Sequence, residues 1–144
     1  MTEVTINGVN YTLTNEPTHG VVRLVQKGQS GIYTTLLSSF EEIVTGQVNG
    51  KSMTIQEAIG IIMKKDPAAV REFSMNLAEH KQVAVISLAT GKYFTVDDFD
   101  NMPEREYKQI YDKCFGVIGG NMDDFFPSYD KNITSKMNSK EAQL

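Results

Sequence analysis

The sequence predicts a mainly α protein, a small helical bundle of five to six helices with an N-terminal β-hairpin. Three observations lead there. Val4 to Leu13 reads VTINGVNYTL, with Asn7-Gly8 at its centre, the dipeptide that best accepts the positive φ angles of a two-residue hairpin turn. Most of the remaining chain carries apolar residues at the i, i+3, i+4, i+7 spacing of amphipathic helices. Recognisable caps and breakers separate those stretches: Thr54-Ile55-Gln56-Glu57, Asp66-Pro67, Thr90-Gly91 and Thr95-Val96-Asp97-Asp98.

With a turn at Asn7-Gly8, Ile6 faces Val9 and Val4 faces Tyr11 on one side of the ribbon, while Thr5, Asn10 and Thr12 face the other. Two strands alone are marginal, so the apolar face is expected to lie on the protein's own helices or to extend a sheet of another molecule. Pro17 ends the second strand. Thr18 is placed to cap a short helix through Val21, Val22, Leu24 and Val25 that closes near Gly28. Ser30 is then expected to cap a second helix whose stripe is Ile32, Tyr33, Leu36, Leu37, Phe40, Ile43 and Val44, ending at Gly46. Residues 46 to 53, GQVNGKSM, form a connector with Asn49-Gly50 as its turn signal.

The capping box at Thr54 to Glu57 starts a helix carrying Ile55, Ile59, Ile62 and Met63 that ends at Lys64-Lys65. Asp66-Pro67 restarts the chain as cap and first residue of the next helix. That helix carries Val70, Phe73, Leu77, Ala84 and Leu88, becomes apolar nearly all round at Val83 to Ile86, and stops at Thr90-Gly91. Its end is expected to be the centre of the core. A short capped helix follows at Thr95 to Phe99, and Pro103 opens the last helix. There Tyr107, Ile110, Tyr111, Cys114, Phe115 and Ile118 share one face, with Glu104 and Glu106 at the positive end of the dipole.

One helical domain over 1–120, with the hairpin at 4–13, and a partly flexible tail over 121–144 is the expected organisation. The tail is polar except for Phe125, Phe126 and Tyr129, which either fold back on the domain or dock on a partner.

Composition narrows the function classes. The 144 residues are 40% hydrophobic and carry a formal net charge of -4, enough for one modest core and without the basic stripe that neutralises phosphates, so no nucleic acid is expected as partner. No run of the sequence is long and apolar enough to suggest a membrane span. The single cysteine, Cys114, excludes an internal disulfide and sits on the apolar stripe, which suits a cytoplasmic protein. Asn132-Ile133-Thr134 matches a glycosylation acceptor, a triplet too common to carry weight.

Signals for catalysis are weak. His19 and His80 have no second histidine at i+3 or i+4 and are expected at the surface or in caps. Asp97, Asp98, Asp100 and Glu104 form the densest acidic group, but the glycine and distant glutamate of a calcium loop are missing, and carboxylates that begin helices already serve the dipole. The glycines do not follow a strand in a phosphate-loop pattern. No catalytic residue, cofactor or metal ligand is assigned, and the protein is expected not to be an enzyme.

At its two ends the domain resembles the small tail assembly chaperones of tailed bacteriophages. The first matching stretch is Tyr11-Thr12-Leu13-Thr14-Asn15-Glu16-Pro17-Thr18-His19-Gly20. The second is Leu88-Ala89-Thr90-Gly91 followed by Phe94-Thr95-Val96-Asp97-Asp98-Phe99-Asp100-Asn101-Met102-Pro103, and together they cover about a third of the chain. The resemblance implies a non-catalytic viral protein of the host cytoplasm that binds the tape measure protein during tail morphogenesis, recruits tail tube protein, and forms homo-oligomers. Candidate partner-binding residues are Tyr107, Tyr111, Phe125, Phe126 and Tyr129. The competing reading is a structural virion or assembly component, or a small inhibitor protein that binds a host protein through its hairpin edge or aromatic tail. A small hydrolase or nucleotide-binding domain would need inward-pointing polar groups that the apolar stripes leave little room for.

Overall fold

In the computed structural model, which describes residues 2–39 and 55–126, the chain is mainly helical with an antiparallel two-stranded hairpin at its start. The strands are β1 (Glu3–Ile6) and β2 (Val9–Thr12), and the α-helices are α1 (His19–Ser39), α2 (Ile55–Lys65), α3 (Pro67–Thr90) and α4 (Glu104–Ile118). Short 3₁₀ turns cover Val96–Phe99 and Gly119–Phe125. The expected five to six helices are therefore four α-helices among the described residues. The Phe40–Gly46 end of the second expected helix, the GQVNGKSM connector, Thr54 and Tyr129 lie outside the described residues.

The hairpin forms as its dipeptide dictates. Asn7 and Gly8 take φ angles of 50° and 83°, and the register pairs Ile6 with Val9 and Val4 with Tyr11. Its apolar side is shared unequally: Val4 and Ile6 are buried, whereas Val9 is 50% exposed. Antiparallel pairs alternate between hydrogen-bonded and non-hydrogen-bonded. Because Leu13 N–H donates to the Thr2 carbonyl at 2.9 Å, the backbone groups of Asn10 and Thr12 point away from β1. Thr14, next in that outward series, donates to the Ala89 carbonyl at 2.8 Å and ties the ribbon to the end of α3.

Helix α1 corrects the expectation of two helices. It runs unbroken through Gly28, where a Cβ would stand 2.8 Å from His80 Cε1 and 2.9 Å from Tyr93 Oη. Gly28 is thus a point of close approach rather than a helix terminator. The stop at Gly91 is of the other kind, with φ +76° and its N–H donating to Ser87 O at 3.0 Å. Between α2 and α3 the Asp66 carboxylate accepts from Ala69 N–H at 3.2 Å, the N-cap that its place before Pro67 implies.

The described residues divide into two compact units, 2–28 with 78–126, and 29–39 with 55–77. The first has its core in Val4, Ile6, Val25, the buried run from Val83 to Ala89, Phe94, Phe99, and Ile110, Cys114 and Ile118 of α4. Val83 to Ile86 is buried as its all-round apolar character requires. The described part of the second unit gathers Tyr33 and Leu36 of α1, Ile59 and Ile62 of α2, and Val70 and Phe73 of α3, with the Tyr33 and Phe73 rings 5.1 Å apart edge to face.

Candidate functional site

The residues singled out for partner binding sit on or beside α4, and the segment that leads into that helix fixes their places. Ser87 is fully buried in α3, where its hydroxyl oxygen accepts from Phe94 N–H at 2.9 Å and so satisfies a donor that the chain reversal after Gly91 would otherwise orphan. The Phe94 ring lies 5.7 Å from Tyr11 and 5.5 Å from Phe99, with the Lys92 ammonium 5.3 Å from its centroid. The next turn begins in a capping box: Thr95 N–H donates to the Asp98 carboxylate at 2.8 Å, and Asp98 N–H returns to Thr95. Phe99, buried, then meets Tyr107 at 5.3 Å edge to face.

This chain of rings decides which α4 side chains remain available. Tyr107 is half-buried, and its hydroxyl donates to Gln82 Oε1 at 3.0 Å. Burial, with Glu104 nearby, pushes the phenol up to about 12, so it stays a neutral donor. Ile110, Cys114 and Ile118 are buried, as the stripe requires, and burial pushes the Cys114 thiol up to about 12, the opposite of an activated nucleophile. Phe115, expected on the same buried face, is instead 50% exposed. At 100° per residue it lies about 100° from the middle of the Ile110, Cys114, Ile118 arc, too far round to reach the core. Its ring stacks on half-buried Tyr111 at 5.9 Å with 27° between planes, and would be 2.9 Å from a Cβ at Gly119. Tyr111 and Phe115 thus form an aromatic pair on the outer flank of α4.

Phe125 and Phe126 fold back. Both are half-buried against the first unit's core; Gln26 Nε2 of α1 donates to the Phe125 carbonyl at 3.1 Å, and the Lys81 ammonium of α3 stands 5.5 Å from the Phe126 ring. Tyr129 lies outside the described residues. Tyr107, Tyr111, Phe125 and Phe126 are thus all half-buried against the first unit's core, and the exposed aromatic of α4 is Phe115, which the stripe had assigned to the core. Other large apolar side chains are exposed as well: Leu24 and Val96, and in the second unit Met63 and Met75, the last 66% exposed.

His19 is exposed at the start of α1, as expected. His80 departs from expectation. It is neither on the surface nor in a cap but half-buried, with Nε2 3.2 Å from the Val25 carbonyl. A carbonyl only accepts, so Nε2 carries the proton. Burial lowers the imidazole below its usual range, the Val25 carbonyl opposes that, and the Lys81 charge adds to it. Gln29, one turn on from Val25, is fully buried with neither its amide nitrogen nor its oxygen hydrogen-bonded among the described residues. Sequence periodicity gave no sign of these burials, because they depend on what α1 and α3 meet.

Asp98 of the acidic group is committed to its cap, and Asp97 and Asp100 are exposed. Among the described residues no group of three or more His, Cys, Asp or Glu side chains is placed to hold a metal ion, and no helix is long and apolar enough to cross a membrane. Comparison with protein-family models, with curated proteins and with solved structures found no match.

Proposed function

We propose that this chain is a non-catalytic tail assembly chaperone of a tailed bacteriophage, binding the tape measure protein in the host cytoplasm and recruiting tail tube protein. The observation that carries the reading is how the side chains divide. Those with potential for chemistry, Cys114, Ser87, Tyr107 and Asp98, are spent on packing or capping, while flexible and aromatic apolar side chains, Phe115, Met63 and Met75, stay exposed. Such side chains suit the apolar face of an amphipathic helix and tolerate varied clients, since methionine re-packs readily and an aromatic ring offers a large contact. The residues of the resemblance support the same reading: Leu88 and Ala89 are wholly buried, Gly91 ends α3, and Thr95 with Asp98 caps the following turn.

The edge of β2 favours a second reading, a virion or assembly component, or an inhibitor, that docks by strand addition. Asn10 and Thr12 offer outward backbone groups on a strand with no charged residue or proline to blunt it. Affinity capture from the native source separates the two. A chaperone brings down a long helical tape measure protein in soluble extract and is missing from finished particles; presence in the particle, or capture of one unrelated host enzyme, overturns the chaperone reading.

A further inference from the structure

We propose that His80 is an acid-operated latch that holds α1 against α3 at the Gly28 notch. The imidazole is wedged where α1 has no side chain: a Cβ at Gly28 would meet its Cε1 at 2.8 Å and its Nδ1 at 3.6 Å, with Tyr93 Oη at 2.9 Å from the same point. Nε2–H is committed to the Val25 carbonyl at 3.2 Å, which leaves Nδ1 as an unprotonated nitrogen facing the notch. A second proton must therefore go to Nδ1. There it creates a second donor and a charge on a half-buried ring, with the Tyr93 hydroxyl as the neighbouring polar group and the Lys81 ammonium as the charge acting on the ring. From α1 the ring meets a carbonyl and a glycine backbone, neither of which supplies a negative charge.

The protonated ring is accommodated by leaving the notch for water, and the bond to Val25 goes with it. The contacts on either side of this point, Gln26 to the Phe125 carbonyl and Lys81 to the Phe126 ring, join the same two helices to the 119–126 segment and loosen together with the latch. The sign follows from linkage. A histidine disfavoured as a cation in the folded state supports the closed state fully above its ordinary value of 6.5, and that support falls as pH drops toward the lowered folded value.

The test is amide hydrogen exchange of the intact protein between pH 7.5 and 5.5, corrected for intrinsic rates, alongside NMR titration of the His80 ring. Opening of the α1 amides near Gly28 and of the Phe125 amide is expected to increase by up to about tenfold per pH unit below 6.5, and the His80 ring to titrate below its ordinary value of 6.5. His80→Gln keeps an amide donor but has no proton to gain, and should open equally at both ends of the range. Equal pH dependence in both proteins overturns the proposal. So does a His80 ring that titrates at 6.5 or above while exchange stays constant, a reading of the unaltered protein that stands even if the variant fails to fold.

Discussion

Replacing Gly28 with alanine tests the central packing claim for α1. Taken alone, alanine in a helix interior is worth about 1 kcal/mol over glycine. Against that gain stands the space: the new methyl would lie 2.8 Å from His80 Cε1 and 2.9 Å from Tyr93 Oη, well inside contact distance. Overpacking of this kind costs about 1–3 kcal/mol, and displacing His80 also gives up its bond to Val25, about 1 kcal/mol more. The net expectation is a loss of about 1–3 kcal/mol. Gly116, exposed in α4 with nothing within 4 Å of its would-be Cβ, is the control, and Gly116→Ala should gain up to about 1 kcal/mol. Urea unfolding followed by circular dichroism reads both. The cause is separated by making Gly28→Ala in a His80→Ala background, where removing the ring should recover much of the cost as a coupling energy. A stabilising Gly28→Ala would refute the close-approach argument. A cost unchanged without the imidazole would assign the clash to Tyr93 Oη, 2.9 Å from the same point, and not to His80.

Further substitutions examine the first unit. Ser87→Ala leaves the Phe94 N–H buried without its acceptor and should cost about 1–3 kcal/mol by urea unfolding; a neutral result would mean that water replaces the hydroxyl. Along α4, Ile118→Ala should cost about 2–5 kcal/mol, whereas Phe115→Ala, half in solvent, should cost about 1 kcal/mol or less, and equal costs would contradict the exposure of Phe115. Cys114, buried and with its thiol pushed up to about 12, should resist a disulfide exchange reagent at pH 8 until urea unfolds the protein. Its shift also requires stability to decline as pH rises above 9.0 toward 12, because the unfolded thiol ionises first.

What could be read in advance was whatever the chain decides locally. Asn7-Gly8 sets the hairpin and its register because the positive φ angles are a property of those two residues. Asp66-Pro67, Thr90-Gly91 and the Thr95 to Asp98 box bound α3 and the next turn because a cap needs only neighbours in sequence. Gly28 was misread because a terminating glycine and a close-approach glycine look alike until His80 and Tyr93 are in place. After Ile118 the chain keeps a helical path, tightening into a 3₁₀ turn from Gly119 as far as Phe125. At the candidate surface, Tyr111 was visible as an aromatic on α4, but Phe115 was hidden by a stripe wider than the arc the core can cover. The burial of His80 and Gln29 depends on tertiary neighbours that no periodicity encodes.

The proposed chaperone role requires that exposed apolar side chains, Phe115 foremost, hold the helices of a long client. Coexpression with a tape measure protein that aggregates when made alone measures this directly, with solution mass read by light scattering. A soluble complex is expected to form with the unaltered protein and to be lost with Phe115→Ser while the variant remains folded. A client that stays insoluble in its presence, or a complex indifferent to Phe115, would contradict it.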